Sequence, residues 1–320
     1  MKEFFLKCTA LLLLFAAVTI LAAEPESFIP ADSPLIMRFN ANKLVQMPWW
    51  KDAAKQNKSL KKIAVELDRI KAESNIVPAD IFAGDMWAAQ VGKEDFITLI
   101  KTNITKSRFI QLLEQEKARK GRKAAYKSSV VGGLTVYILG KSGEEAALIY
   151  VAEDVMLIFK AELVSEALIA SVLDKKANPL LKSIDRKALF ALYGDAKKMQ
   201  LPAKKSKVLR LAATAELEGA SQRDLRINGK LVCRNEKIAM QLAMQAQFMY
   251  PGVVGMLFGK DEALSSSLFN SLQIVPEKNV ITGVFTLSGD QQLKIVKYMS
   301  NPANRPNFKH DSAGAKTLQQ

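Results

Sequence analysis

Histidine is nearly absent from this 320-residue chain: the single one is His310, in the polar stretch 301–320. That removes the commonest general base and the commonest side-chain metal ligand. A Ser-His-Asp triad or a histidine-rich zinc site would have to draw on a tail whose composition predicts disorder. Cysteine is almost as scarce, with Cys8 and Cys233 alone. No C-x-x-C pair exists, and once Cys8 is removed with a leader, no intramolecular disulfide is possible. Cys233 lies in the strand-like run 230–233 and reads as a buried, inert thiol. Gly252-Val253-Val254-Gly255 lacks the third glycine and the preceding strand of a dinucleotide site, and no calcium loop of alternating acids occurs. No cofactor is expected. Beyond residue 23 no apolar run approaches the roughly 20 residues of a membrane-spanning helix.

Negative charge is also in short supply. Lys and Arg number 46 against 32 Asp and Glu, for a net charge of +14. The basic residues cluster at Lys51/Lys55/Lys58/Lys61/Lys62, at Lys117/Arg119/Lys120/Arg122/Lys123/Lys127, and at Lys197/Lys198/Lys204/Lys205/Lys207/Arg210. Such a chain is drawn to anionic surfaces. None of the clusters has the interleaved aromatics of a single-strand nucleic-acid groove, so no specific nucleic acid is expected. The candidate surface-binding residues are Lys117, Arg119, Lys120, Arg122, Lys123, Lys204, Lys205 and Lys207. Trp49 and Trp50 join them, because two adjacent tryptophans at a helix end cannot both face one core.

The first 23 residues have the order of a secretory signal peptide. Lys2 and Lys7 precede an uncharged apolar run, 8–23, which ends in Ala22-Ala23 before Glu24-Pro25-Glu26. Cleavage is expected after Ala23, giving a periplasmic or secreted product, with an uncleaved N-terminal anchor as the alternative. The remainder predicts a first half over 24–178, a second over 179–300 and a disordered polar tail over 301–320. Hairpin-linked strands interrupted by single helices predict an α+β fold with mostly antiparallel sheets and helices on one face. Strands are predicted at 35–39, 86–91, 96–100, 124–131, 134–139, 147–152, 155–160, 188–195, 208–217, 225–233, 271–275 and 280–287. Helices are predicted near 43–45, 60–75, 107–113, 162–173, 235–250, 264–268 and 290–299, with Pro251-Gly252 as the stop of the fifth. Ala196-Lys197-Lys198-Met199 reads as a second-half counterpart of Ala41-Asn42-Lys43-Leu44, so the two halves are expected to repeat related elements.

Two patterns carry possible chemistry. Ser59-Leu60-Lys61-Lys62 fits S-x-x-K and Lys141-Ser142-Gly143 fits K-[ST]-G, the pair used by serine–lysine hydrolases. No S-D-N element lies between them, and a lysine-rich chain produces both by chance. Met240, Met244, Met249 and Met256, with Phe248 and Phe258, surround one helix. Such a face reads first as helix-on-sheet core and second as an adaptable groove for an apolar ligand.

The opening Phe28-Ile29-Pro30-Ala31-Asp32-Ser33-Pro34, followed by a strand and Asn40-Ala41-Asn42-Lys43-Leu44, resembles a class of exported bacterial proteins without assigned function. In that class a P-A-D-x-P start precedes a strand and short helix, and a later helix leads into a Pro-x-Asp-Ile turn like Pro78-Ala79-Asp80-Ile81. The resemblance implies an envelope or secreted protein and supplies no catalytic residues. The chain is therefore expected to be a non-enzymatic protein that binds an anionic envelope surface or another envelope protein. A carrier of a lipid-like ligand in a helix-sheet cavity is the alternative, and a hydrolase using Ser59 and Lys62 the remote one.

Overall fold

Short apolar strands joined by tight turns close most of this fold locally. The computed structural model describes residues 24–46, 55, 58–120, 126–140, 145–199, 207–218, 223–301 and 304. The leader, Trp49, Trp50, Arg122, Lys123, Lys204, Lys205, the K-[ST]-G motif and His310 lie outside these residues.

A 3₁₀ turn at Pro25–Phe28 precedes strand β1 (Leu35–Phe39) and helix α1 (Ala41–Gln46). Asn40 caps α1 by accepting the Lys43 N–H at 2.8 Å. Helices α2 (Lys58–Ser74) and α3 (Pro78–Ile81) follow, then strands β2 (Met86–Gln90) and β3 (Phe96–Lys101), helix α4 (Lys106–Lys120), and strands β4 (Lys127–Val131), β5 (Leu134–Leu139), β6 (Ala146–Ala152) and β7 (Val155–Lys160). Between β4 and β5, Gly132 and Gly133 both hold positive φ, 55° and 79°, as a two-residue hairpin of this twist requires. Helix α5 (Glu166–Leu173) and a 3₁₀ segment at Pro179–Ser183 lead to β8 (Phe190–Asp195), β9 (Val208–Glu218) and β10 (Asp224–Cys233). Helices α6 (Glu236–Phe258) and α7 (Glu262–Phe269), strands β11 (Leu272–Glu277) and β12 (Val280–Leu287), and helix α8 (Gly289–Ser300) complete the described chain.

All twelve strands form one antiparallel sheet, ordered β11-β12-β10-β9-β8-β1-β2-β3-β7-β6-β5-β4. The fold is therefore α+β with an antiparallel sheet and helices packed against it. Two runs share one strand order. In each, three strands meander in sequence, a helical segment intervenes, and the last returning strand pairs with the third: β7 on β3, and β12 on β10. The first run carries two additional outer strands. The runs meet where β1 pairs antiparallel with β8.

Cross-strand partners lie on the same face of a sheet, so the register traces each face from end to end. One line of partners runs Leu148, Ile158, Thr98, Ala88, Met37, Leu192, Ala213, Gly229, Gly283, Ile274. Leu148 packs with Phe109 and Leu113 of α4, and Ile274 with Ala239 and Ala243 of α6. The α4 and α6 layers thus cover the same face. On the opposite face of the first run, Ile36, Trp87, Ala89, Leu99, Ile149 and Leu157 pack with Phe28, Ile29, and Ile169 and Val172 of α5. That run is covered on both sides. In the second run the same opposite face carries Arg226, Asn228, Lys230, Thr282 and Thr286, the alternation of a sheet with one wet side.

Three expectations are corrected. The helix expected over 162–173 is broken: a 3₁₀ turn at Ala161–Leu163 ends before α5, because Ser165 adopts an extended backbone and accepts the Leu168 N–H as a cap. Ala196-Lys197-Lys198-Met199 forms a turn rather than a helix; Asp195 Oδ1 accepts the Lys197 N–H and holds the chain there. Helix α6 does not stop at Pro251 but runs on to Phe258. A proline removes one N–H and crowds the preceding turn. Here burial of Val254, and contact of the Phe258 ring with Tyr298 of α8 at 5.5 Å, fix the turns beyond it.

At the centre stands Arg38, 4% exposed on β1. Its Nε and Nη2 grip Asp85 at 2.6 and 2.7 Å, and its Nη1 donates to the Ala188 carbonyl at 2.8 Å. One side chain so ties β1 to the approaches of β2 and β8. Arg38→Ala leaves Asp85 and the Ala188 carbonyl without this partner and is expected to lower the unfolding free energy by about 3 kcal/mol. Urea titration followed by far-UV circular dichroism checks this; a loss under about 1 kcal/mol would contradict it.

Candidate functional site

Among the described residues an apolar cavity forms between α2, α3, α4 and the strands beneath them. Two polar locks create it. Arg108 of α4 donates to the Ser74 carbonyl at 3.1 Å, tying the end of α2 to α4. The Asp80 carbonyl of α3 accepts from Thr102 Oγ1 at 2.9 Å and from the Asn103 N–H at 2.7 Å, which sets Ile104 inward. Asn75, at φ 53°, turns the chain out of α2 between them. The cavity measures about 710 Å³, within the range of small-molecule sites.

Its floor is apolar: Ile76, Ile104, Leu148 and Met156 are all buried. Its walls are Ile70, Ile81, Phe109, Leu112, Leu113 and Leu139. Phe109 is held edge-on to Tyr137 and tilted against Tyr150, with ring centroids 5.6 and 5.7 Å apart. The charged groups sit at the rim. Arg69 pairs with Glu73 one helical turn on, and Arg119 of α4 approaches the same carboxylate at 4.0 Å. Glu73 is thereby shared by the two arginines.

Two groups near these cores titrate upward. Burial, with the charges of Glu153 and Tyr137 adding to it, pushes the Tyr150 phenol far above its ordinary 10.0, and its hydroxyl donates to the Ile104 carbonyl at 2.8 Å. Burial also raises the Cys233 thiol above its ordinary 9.0, so Cys233 stays protonated at neutral pH. Among the described residues no three His, Cys, Asp or Glu side chains gather as a metal site.

Of the basic candidates, Lys117, Arg119 and Lys207 have described side chains. Lys117 and Arg119 are exposed on α4, and Lys117 lies 5.7 Å over the Tyr126 ring. Lys207 is exposed just before β9. The sheet order puts β8, β1, β2 and β3 between β9 and β7, roughly 24 Å at about 4.8 Å per strand. Lys120 ends α4 but its side chain is outside the described residues, like Arg122, Lys123, Lys204, Lys205, Trp49 and Trp50. Lys62 is exposed on α2, and the side chain of Ser59 is not among the described residues.

The apolar-ligand cavity was expected beneath the methionine-bearing helix, and that position is corrected. Helix α6 packs its small side chains Ala239 and Ala243, and Val254, against the second run, while Met240, Met244, Met249 and Met256 face outward. Small residues bring a helix close to a sheet and leave no room for a ligand. The P-A-D-x-P opening has a structural role: Asn178, 2% exposed, donates to the Pro30 and Ser33 carbonyls at 2.8 and 3.0 Å and clasps that loop to the start of the second run.

No protein-family model matches the chain, and no curated protein matches it. A solved structure, crystal form I of TP0453, matches at 12% identity with a TM-score of 0.45, covering 86% of this chain and 97% of that one.

For Tyr150 and Cys233 the pKa is raised by folding. Each adds stability that is fully present below its unfolded-state pKa and is lost as pH rises through the folded value. Unfolding free energy is therefore expected to fall above about pH 10, with Tyr150→Phe flattening that decline while costing about 1 kcal/mol at neutral pH. Urea titrations from pH 7 to 11 check it; an identical alkaline decline in the variant would contradict the assignment.

Proposed function

We propose that this chain is an exported, non-catalytic binding protein that holds an amphiphile, with the apolar part in the α2–α4 cavity and an anionic head at Arg69 and Arg119. The supporting observation is the cavity itself: an apolar floor and walls, with charge confined to one basic rim. Each methylene moved from water into it contributes about 0.8 kcal/mol, so a chain of moderate length offsets the entropy lost on binding. The rim arginines add direction, since a guanidinium pairs with carboxylate or phosphate through two parallel hydrogen bonds. Glu73 already occupies part of that rim, and a bound head group would share the arginines with it. The leader read over 1–23 and the absence, among the described residues, of a helix able to cross a membrane agree with an export product that works in the periplasm.

Lipid extraction of the purified protein, read by mass spectrometry, is expected to yield a stoichiometric amphiphile. A fluorescent fatty acid is expected to bind the delipidated protein and to be displaced by unlabelled fatty acid. Leu113→Trp, which fills the cavity, is expected to weaken that binding at least tenfold. Arg119→Glu is expected to weaken an anionic probe more than its neutral ester. A protein that takes up no probe, or a filled variant that binds it undiminished, would remove the reading.

A further inference from the structure

Helix α6 is apolar on its outside as well as its inside. A helix turns through about 100° per residue, which places Ala239, Ala243, Tyr250 and Val254 toward the sheet and Met244, Phe248 and Met256 on the outward arc. Phe248 is 87% exposed, Met244 64% and Met256 62%. On α7, Phe269 is 40% exposed. The only polar side chains on that outward arc are the uncharged Gln241 and Gln245. No Asp, Glu, Lys or Arg stands between Lys237 and Lys260, and both of these lysines are exposed, one at each end of the helix. Exposed apolar surface of this extent on one element marks an interaction face.

Charge selects the occupant. A second copy of the chain would bring another net +14 against the first, whereas an anionic lipid surface attracts it. The arrangement along the helix fits such a surface: thioether and phenyl groups that enter the boundary between headgroups and acyl chains, only uncharged glutamines among them, and a lysine at either end to meet phosphate. The helix lies flat on its own sheet through Ala239, Ala243 and Val254 and does not need to leave it. We propose that the outer face of α6 docks the protein on an anionic lipid bilayer, with Met244, Phe248 and Met256 inserted and Lys237 and Lys260 on the headgroups. The proposal is independent of the first-run cavity, which lies over other strands of the sheet.

Full-length protein purified without its leader is incubated with vesicles of phosphatidylcholine, with and without phosphatidylglycerol, and sedimented. Retention is expected on the anionic vesicles and much less on the neutral ones. Met244→Ser with Phe248→Ser changes only exposed side chains, so the melting temperature should hold, and retention is expected to fall about tenfold or more. Lys237→Gln and Lys260→Gln are each expected to reduce it about fivefold, and the Leu113→Trp cavity variant to leave it unchanged. Three outcomes overturn the proposal: no retention, equal retention of the Met244/Phe248 variant, or light scattering that shows a dimer abolished by that variant without vesicle binding. Loss of fatty-acid binding with vesicle retention intact would instead remove only the cavity reading.

Discussion

The pairing of β1 with β8 is the contact on which the arrangement depends. Each run of strands is closed locally by its own hairpins. The junction joins segments about 150 residues apart in sequence, and its hydrogen bonds alone would not fix which faces coincide. Arg38 makes that choice costly to alter. Its guanidinium is buried and held through all three nitrogens by Asp85 and the Ala188 carbonyl, so a one-residue slip would bury a charge without its partner. With the register fixed, every later helix is assigned to a face, and α4 and α6 fall on the same one.

That assignment explains why two helices of similar position have different surfaces. Helix α4 stands off the sheet on Phe109 and Leu113, and the space beneath α2 and α4 becomes a cavity. Helix α6 meets the sheet through alanines and a valine, and the large side chains that might have filled a gap point away instead. Ligand room in one run and exposed apolar surface in the other follow from side-chain size at the helix-sheet contact.

Much of the fold was legible from local pattern. Alternating apolar residues and the Gly132-Gly133 turn located the strands, and Asn40 and Asn235 marked helix starts that the structure caps. The errors arose where tertiary contacts outweighed local signals. Pro251 marks a helix end by itself, but Val254 and Phe258 gain more from burial than the lost hydrogen bond costs. The methionines were read as core because apolar residues usually are, and only the alanine row at 239 and 243 hinted at a close packing that leaves their neighbours outside. The cavity had no sequence signature, since Arg69, Ile104, Phe109 and Met156 come from four elements brought together only by the sheet order. The arginine rim was likewise invisible in a chain where basic residues are common; Arg119 was singled out for its cluster, not for its approach to Glu73.

The unequal covering of the sheet has a consequence for how the molecule loosens. Strands β5, β6 and β7 are clamped between two apolar layers, whereas β10 to β12 have one such layer and one wetted side. Amide protons in the doubly covered region are expected to exchange through global unfolding, and those of β11 and β12 through partial openings that leave the α2–α4 cavity closed. Breathing at the far end of the sheet is thus decoupled from the first run.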